Sequence, residues 1–139
     1  MNEYLVKYDD ILAGVEEKLN PAGKTLREAN SAVPGDYFFF AQCLQELKSM
    51  ERFADGILQQ KKAQSWASIK ENSNIEHNTR DIEVMCKNTP AYQTYSQYLI
   101  LIQEMVGQYE VVVKAFEHLS YKLKDITAAR IAEVQEYII

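Results

Sequence analysis

Lys61, Lys62, Trp66 and Lys70 are the residues of this sequence whose types and spacing best suit binding chemistry. Lysines offer charge to phosphates, and an indole ring offers a surface on which a base can stack. On a helix, Lys62, Trp66 and Lys70 stand at i, i+4 and i+8 and so share a face. Residues 59–70 hold three lysines and no acid, and Lys48 and Arg52 extend the positive character upstream, diluted by Glu51 and Asp55. Arg52, Lys61, Lys62, Trp66 and Lys70 therefore read as a contact for a single nucleic-acid strand of any sequence. The alternative is a solvated helix face carrying one surface-packed tryptophan. A second basic cluster, Lys122, Lys124 and Arg130, is interleaved with Asp125.

Catalytic patterns are missing from the sequence. It has no glycine loop to cradle phosphates, no Gly-x-Ser-x-Gly, and no His/Cys set at ligand spacing, so no enzyme activity, cofactor or metal is expected. His77, in a polar stretch, and His118, on a helix, each stand alone. Glu133 and Glu136 lie on neighbouring turns, where acids are ordinarily solvated rather than paired over metal ions. Tyr92, Tyr95 and Tyr98 recur at spacing three and could stack bases, but helix packing is the stronger reading, since Tyr95 belongs to the seam. Cys43 and Cys86 sit in helical apolar patterns and read as buried thiols.

The elements that must carry these residues are helices. From Pro90 onward the chain has no further proline and one glycine, Gly107. Tyr95, Leu99, Ile102, Val106, Tyr109, Val113 and Phe116 recur in threes and fours, which puts them on one seam of the coiled-coil kind. Thr89-Pro90 is a start signal, a capping threonine before a proline at the first helical position. A helix over 90–137 would run about 70 Å at 1.5 Å per residue. Such a helix needs other long helices beside it, its own or a partner's. After Phe116 the stripe resumes at Leu119, Leu123 and Ile126, displaced by three residues. This shift predicts that the helix changes neighbours near His118. The seam, with Leu123 and Ile126, is the expected oligomerisation surface.

Upstream, residues 4–19 read as a short amphipathic helix with Leu5, Tyr8, Ile11, Leu12, Val15 and Leu19 on one side. Asn20-Pro21-Ala22-Gly23 ends it, within an N-terminal piece of residues 1–20. A brief helical or irregular piece over 26–33 leads to Pro34-Gly35, read as a strong break, after which Asp36 caps a long helix over 36–70. Phe40, Cys43, Leu47, Met50, Ala54 and Ile57 form its stripe, widened by Leu44 and Leu58. Beyond Leu58 it reads as polar all round, which suits solvent or a non-protein partner. A turn-rich loop over 71–79 and a short helix over 80–87 complete the set. The expected fold is all-α, an elongated single helical domain over 1–139 with two long helices, short helices and coiled-coil-like packing, oligomeric.

Composition is compatible with this. The chain of 139 residues is 47% hydrophobic, enough for a core, and its net charge of −5 disfavours a general nucleic-acid binder. Glu3, Asp9 and Asp10 interrupt any secretory apolar run, and nothing approaches a membrane-spanning length. A reduced, cytoplasmic setting is the expectation.

The layout resembles the UvsY-like recombination mediators of tailed phages, which act in recombination and repair and bind single-stranded DNA. The resemblance rests on Gln60-Lys61-Lys62 near the end of the second helix, the polar loop and short helix that follow, and a long last helix containing 116–130 (FEHLSYKLKDITAAR). It covers residues from about Thr25 onward. It implies a non-enzymatic mediator that forms a homo-oligomeric ring and binds single-stranded DNA. It also implies partners, a strand-exchange recombinase and the single-strand-binding protein it displaces, and a host-cell cytoplasm as setting. Only Lys61 and Lys62 match the family's basic segment directly; the chain differs in lacking arginine there and in being acidic overall. A ring could offset this by setting several modest patches side by side. The rival reading is a helical adaptor or phage-encoded inhibitor that binds a protein through its acidic surface and apolar seams.

Overall fold

A computed structural model describes residues 2–72 and 79–138, and every described element is an α-helix. In chain order these are α1 (Asn2–Ala13), α2 (Val15–Leu19), α3 (Leu26–Asn72), α4 (Thr79–Lys87) and α5 (Pro90–Ile138). The expected loop, with His77, lies outside the described residues except where Glu71 and Asn72 close α3 and Thr79 opens α4. No described helix is long and apolar enough to cross a membrane.

Several boundaries differ from the sequence reading. The N-terminal helix is divided at Gly14, whose N–H reaches the Ile11 carbonyl at 3.3 Å, so α1 stops at Ala13 and a short α2 follows. More consequential is α3, which begins ten residues earlier than expected and runs through Pro34-Gly35 without a break. A capping box starts it: the Thr25 hydroxyl accepts from the Glu28 N–H at 3.1 Å, and a Glu28 carboxylate oxygen accepts from the Thr25 N–H at 3.3 Å. Pro34 then denies the Asn30 carbonyl its helical donor, but both residues are exposed, so water can supply that donor. Ala29 and Val33, buried on the opposite side, hold the turn in place. The third difference is slight: Thr79 extends α4 by one residue.

The described residues fall into two compact units, each crossed by α3 and α5. In the first, Leu47–Glu104, the core comprises Leu47, Ala54, Leu58, Ile82, Cys86 and Ile102. Cys86 on α4 is fully buried, with its Sγ 3.8 Å from the Lys62 carbonyl of α3. The Thr89 hydroxyl donates to the Cys86 carbonyl at 2.7 Å and accepts from the Tyr92 N–H at 3.4 Å, so one side chain closes α4 and caps α5.

The second unit, Asn2–Glu46 with Met105–Ile139, sets α3 and α5 antiparallel. Phe40 stacks on Phe116 with ring centroids 5.2 Å apart, the Tyr37 hydroxyl donates to Glu117, and Asn30 Nδ2 donates to the Thr127 hydroxyl. α1 closes over this pair. The Tyr109 hydroxyl donates to the Tyr8 carbonyl at 2.6 Å, and the Tyr8 hydroxyl donates to Glu46 at 2.7 Å. Burial pushes both tyrosines well above the usual tyrosine range, reinforced for Tyr8 by the bond to Glu46.

These contacts correct the expected register shift. α5 faces α3 at Glu117 and again at Thr127, so it keeps the same neighbour on both sides of His118. Its inner line continues unbroken as 116, 120, 123, 127, with Ser120 and Thr127 half-buried, while Ile126 is 37% exposed. The Thr127 hydroxyl is also the donor to the Leu123 carbonyl at 2.8 Å, which lets a polar side chain occupy an inner position.

Candidate nucleic-acid interface

The basic end of α3 lies wholly within the unit Leu47–Glu104. Its environment corrects the expectation of a helix that is polar all round. Lys61, Lys62, Ser65, Trp66 and Ile69 are half-buried, in phase with Ala54 and Leu58, whereas Gln59, Gln60, Ala63, Gln64, Ala67, Ser68 and Lys70 are exposed. The inner stripe thus continues past Leu58 in long-stemmed and mixed side chains, a position that lysine tolerates because its methylenes can cover apolar surface.

The five expected contact residues consequently differ. Lys70 and Arg52 are exposed on the outer side of α3. Lys61 is half-exposed. Lys62 is committed in part, its Nζ 3.8 Å from a Glu83 carboxylate oxygen of α4, with both side chains partly solvated. Such a pair contributes little to stability, about 1 kcal/mol or less, so a phosphate could compete for this lysine. Trp66 is half-buried on the inner stripe. No acid stands within 59–70, although Glu71 follows Lys70 directly. Seven bases and seven acids balance over residues 47–104, whereas residues 2–46 carry eight acids against four bases. The overall negative charge therefore belongs mainly to the other unit.

The expected oligomerisation residues are largely spent inside the chain. Ile102, Val106, Tyr109, Phe116 and Leu123 are buried at 0–7% exposure, and Tyr95, Leu99 and Val113 are half-buried. Val112, not Val113, takes the buried place in that turn. Only Ile126 is exposed. A seam filled by the chain's own helices is not a free surface for another copy. The large exposed apolar side chains lie elsewhere, with Phe53 at 71% and Phe38 at 69% exposure the foremost. Neither stood out in the sequence, because Phe53 interrupts no pattern and Phe38 opens a run of three phenylalanines ending in the buried Phe40.

Tyr92, Tyr95 and Tyr98 are all half-buried, as helix packing implies, and His118, Glu133 and Glu136 are exposed. Both cysteines are buried free thiols, and burial pushes the Cys43 thiol up. Among the described residues no group of His, Cys, Asp and Glu converges as a metal site, and no buried side-chain polar atom lacks a partner. No family model, curated protein or solved structure matches the chain.

Proposed function

We propose that this chain is a non-enzymatic recombination mediator that binds single-stranded DNA through the end of α3. The observation that carries this reading is the twelve-residue run 59–70, which places Lys61, Lys70 and the half-buried Trp66 on one helix with no acid among them. Lysines there hold the phosphate backbone, and the indole face stacks on a base, a combination indifferent to sequence. The neutral balance of residues 47–104 supports placing the strand on this unit and away from the acidic segment 2–46. The mediator role itself, with a recombinase and a single-strand-binding protein as partners in a host-cell cytoplasm, follows from the resemblance to UvsY-like proteins. Assembly into a homo-oligomer belongs to the same proposal, through exposed side chains such as Phe53 instead of the filled α5 seam.

The test is fluorescence anisotropy with a labelled oligothymidylate over a range of salt. Replacing Lys61, Lys62 and Lys70 by alanine should weaken binding and flatten the salt slope. Trp66→Ala should weaken it with the slope nearly unchanged. Unaltered binding by the triple variant would reduce the segment to a solvated helix face.

A second reading, a helical adaptor for a protein partner, is favoured by the exposure of Phe38 and Phe53 and by the acid excess over 2–46. It becomes the better reading if the parent chain binds no single-stranded DNA.

A further inference from the structure

Within the unit Asn2–Glu46 with Met105–Ile139, α5 outruns the helix it packs against. α3 meets it at Tyr37–Glu117 and at Asn30–Thr127, then runs out at Leu26, which shares a groove with Ile131. Leu123 is buried and Thr127 half-buried, but from Ala128 to Glu136 every residue is exposed. The apolar line continues regardless. Ile131 and Val134, 54% and 57% exposed, prolong the inner positions 116, 120, 123 and 127 at helical spacing. With Leu26, Thr127, Arg130 and Gln135 they line an open groove of about 310 Å³ whose walls are almost wholly apolar. Such walls suit apolar side chains and disfavour a phosphate.

Two charges border this stripe, Arg130 and Glu133. Three residues apart, they lie on one flank of α5. The other flank carries Ala128 and Gln135, both uncharged, while Ala129, Ala132 and Glu136 turn outward. When two copies of a helix pack antiparallel about a two-fold axis, each flank meets the same flank of the other. Seating Ile131 of one copy against Val134 of the second, and the reverse, sets Arg130 about 3 Å along the axis from Glu133 of the second copy. The two arginines are then about 7.5 Å apart along it, at 1.5 Å per residue. The two Glu133 side chains approach each other near the two-fold axis, each beside an arginine of the other copy, so the cluster is neutral. A parallel pairing lays the charged flank against the uncharged one and forfeits this match.

We infer that the end of α5, residues 127–136, is a docking surface for a second copy of this chain, paired antiparallel with Ile131 and Val134 inside and Arg130–Glu133 contacts between the copies. The paired length is about 15 Å, which puts the interface below about 1,200 Å² in total, among the reversible ones. The inference deepens the assembly part of the reading above and draws nothing from strand binding. Its surface is separate from Phe53, which lies in the other unit.

The experiment is sedimentation equilibrium of the full chain over the micromolar to submillimolar range, with each variant checked for helix content by circular dichroism. The parent should associate reversibly. Ile131→Asp/Val134→Asp should weaken association about tenfold or more with helix content unchanged, because both side chains are in water in the single chain. Arg130→Glu and Glu133→Arg, each alone, gather four like charges at the axis and should weaken it as well. The exchange Arg130→Glu/Glu133→Arg should bring association back to within about threefold of the parent. If the exchange fails to restore association, or Ile131→Asp/Val134→Asp associates like the parent, the inference falls; dissociation by Phe53→Ser would then leave assembly standing on the other unit. A parent that stays monomeric overturns this surface and the assembly reading together. Absence of strand binding ends the α3 reading and leaves this surface untouched.

Discussion

Replacing Leu123 by aspartate tests whether the C-terminal third of α5 is packed inside the chain or held for a partner. Leu123 is 5% exposed on the inner line facing α3, whereas Ile126, three residues on, is 37% exposed. Removing a buried leucine side chain costs about 2–5 kcal/mol once the cavity is included. Leaving a polar group without a partner in its place adds about 1–3 kcal/mol. Together these reach about 3–8 kcal/mol, comparable with the whole stability of a domain of ordinary size, about 5–15 kcal/mol. Ile126→Asp gives up part of a surface side chain and some helix propensity, about 1 kcal/mol or less. The pH dependence adds a signature. Burial raises the folded pKa of the new aspartate above its unfolded value near 3.9, so the folded state holds the proton more tightly. The penalty is therefore greatest above the raised pKa and is relieved as pH falls toward about 4. Urea denaturation followed by far-UV circular dichroism at neutral and mildly acidic pH measures both effects. Equal stability of the two variants, or loss of assembly in Leu123→Asp with the helices intact, would refute the internal seam.

Other outcomes follow from single contacts. Pro34→Ala restores an N–H opposite the Asn30 carbonyl in the exposed interior of α3 and should raise stability by about 1–3 kcal/mol in the same urea assay. Thr25→Ala removes the hydroxyl of the capping box and should lower stability by about 1 kcal/mol. Tyr8 and Tyr109 ionise far less readily folded than unfolded, because burial favours their neutral forms. Their stabilising effect is full below pH 10 and should be lost as pH rises above it, a decline that thermal melts should find smaller in the Tyr8→Phe/Tyr109→Phe variant. Phe53→Ser should weaken any self-association seen by sedimentation while leaving helix content unchanged, since its ring is largely in water.

The helical fold and most of its core are legible because apolar spacing records burial directly. Phe40, Leu47, Ile102, Tyr109 and Phe116 stand inside as their threes and fours require. What pattern reading missed has particular causes. Proline and glycine side by side resemble a terminus, yet the start signal was nine residues earlier in Thr25-Leu26-Arg27-Glu28, and buried Ala29 and Val33 outweigh one missing hydrogen bond. Ser120 and Thr127 hold inner positions without being apolar, so a search for apolar stripes jumps to Leu119 and Ile126 and finds a false displacement. The candidate site was legible in its residue types but not in its pairing: the Lys62–Glu83 contact joins α3 to α4, and no spacing within one helix predicts it. Nor can a one-dimensional pattern tell which chain fills a seam. That ambiguity led to the assignment of Ile102, Val106 and Tyr109 to assembly, when α1 and α3 are available within the same chain.

The most direct test of the central claim is a salt titration of the unmodified chain with a labelled single-stranded oligothymidylate. Binding through lysine–phosphate contacts should show the logarithm of the association constant falling linearly with the logarithm of salt concentration, with a slope of about −0.7 per phosphate neutralised. Affinity should be similar for mixed-sequence strands. No detectable binding at low salt, or binding that salt leaves unchanged, would contradict the account.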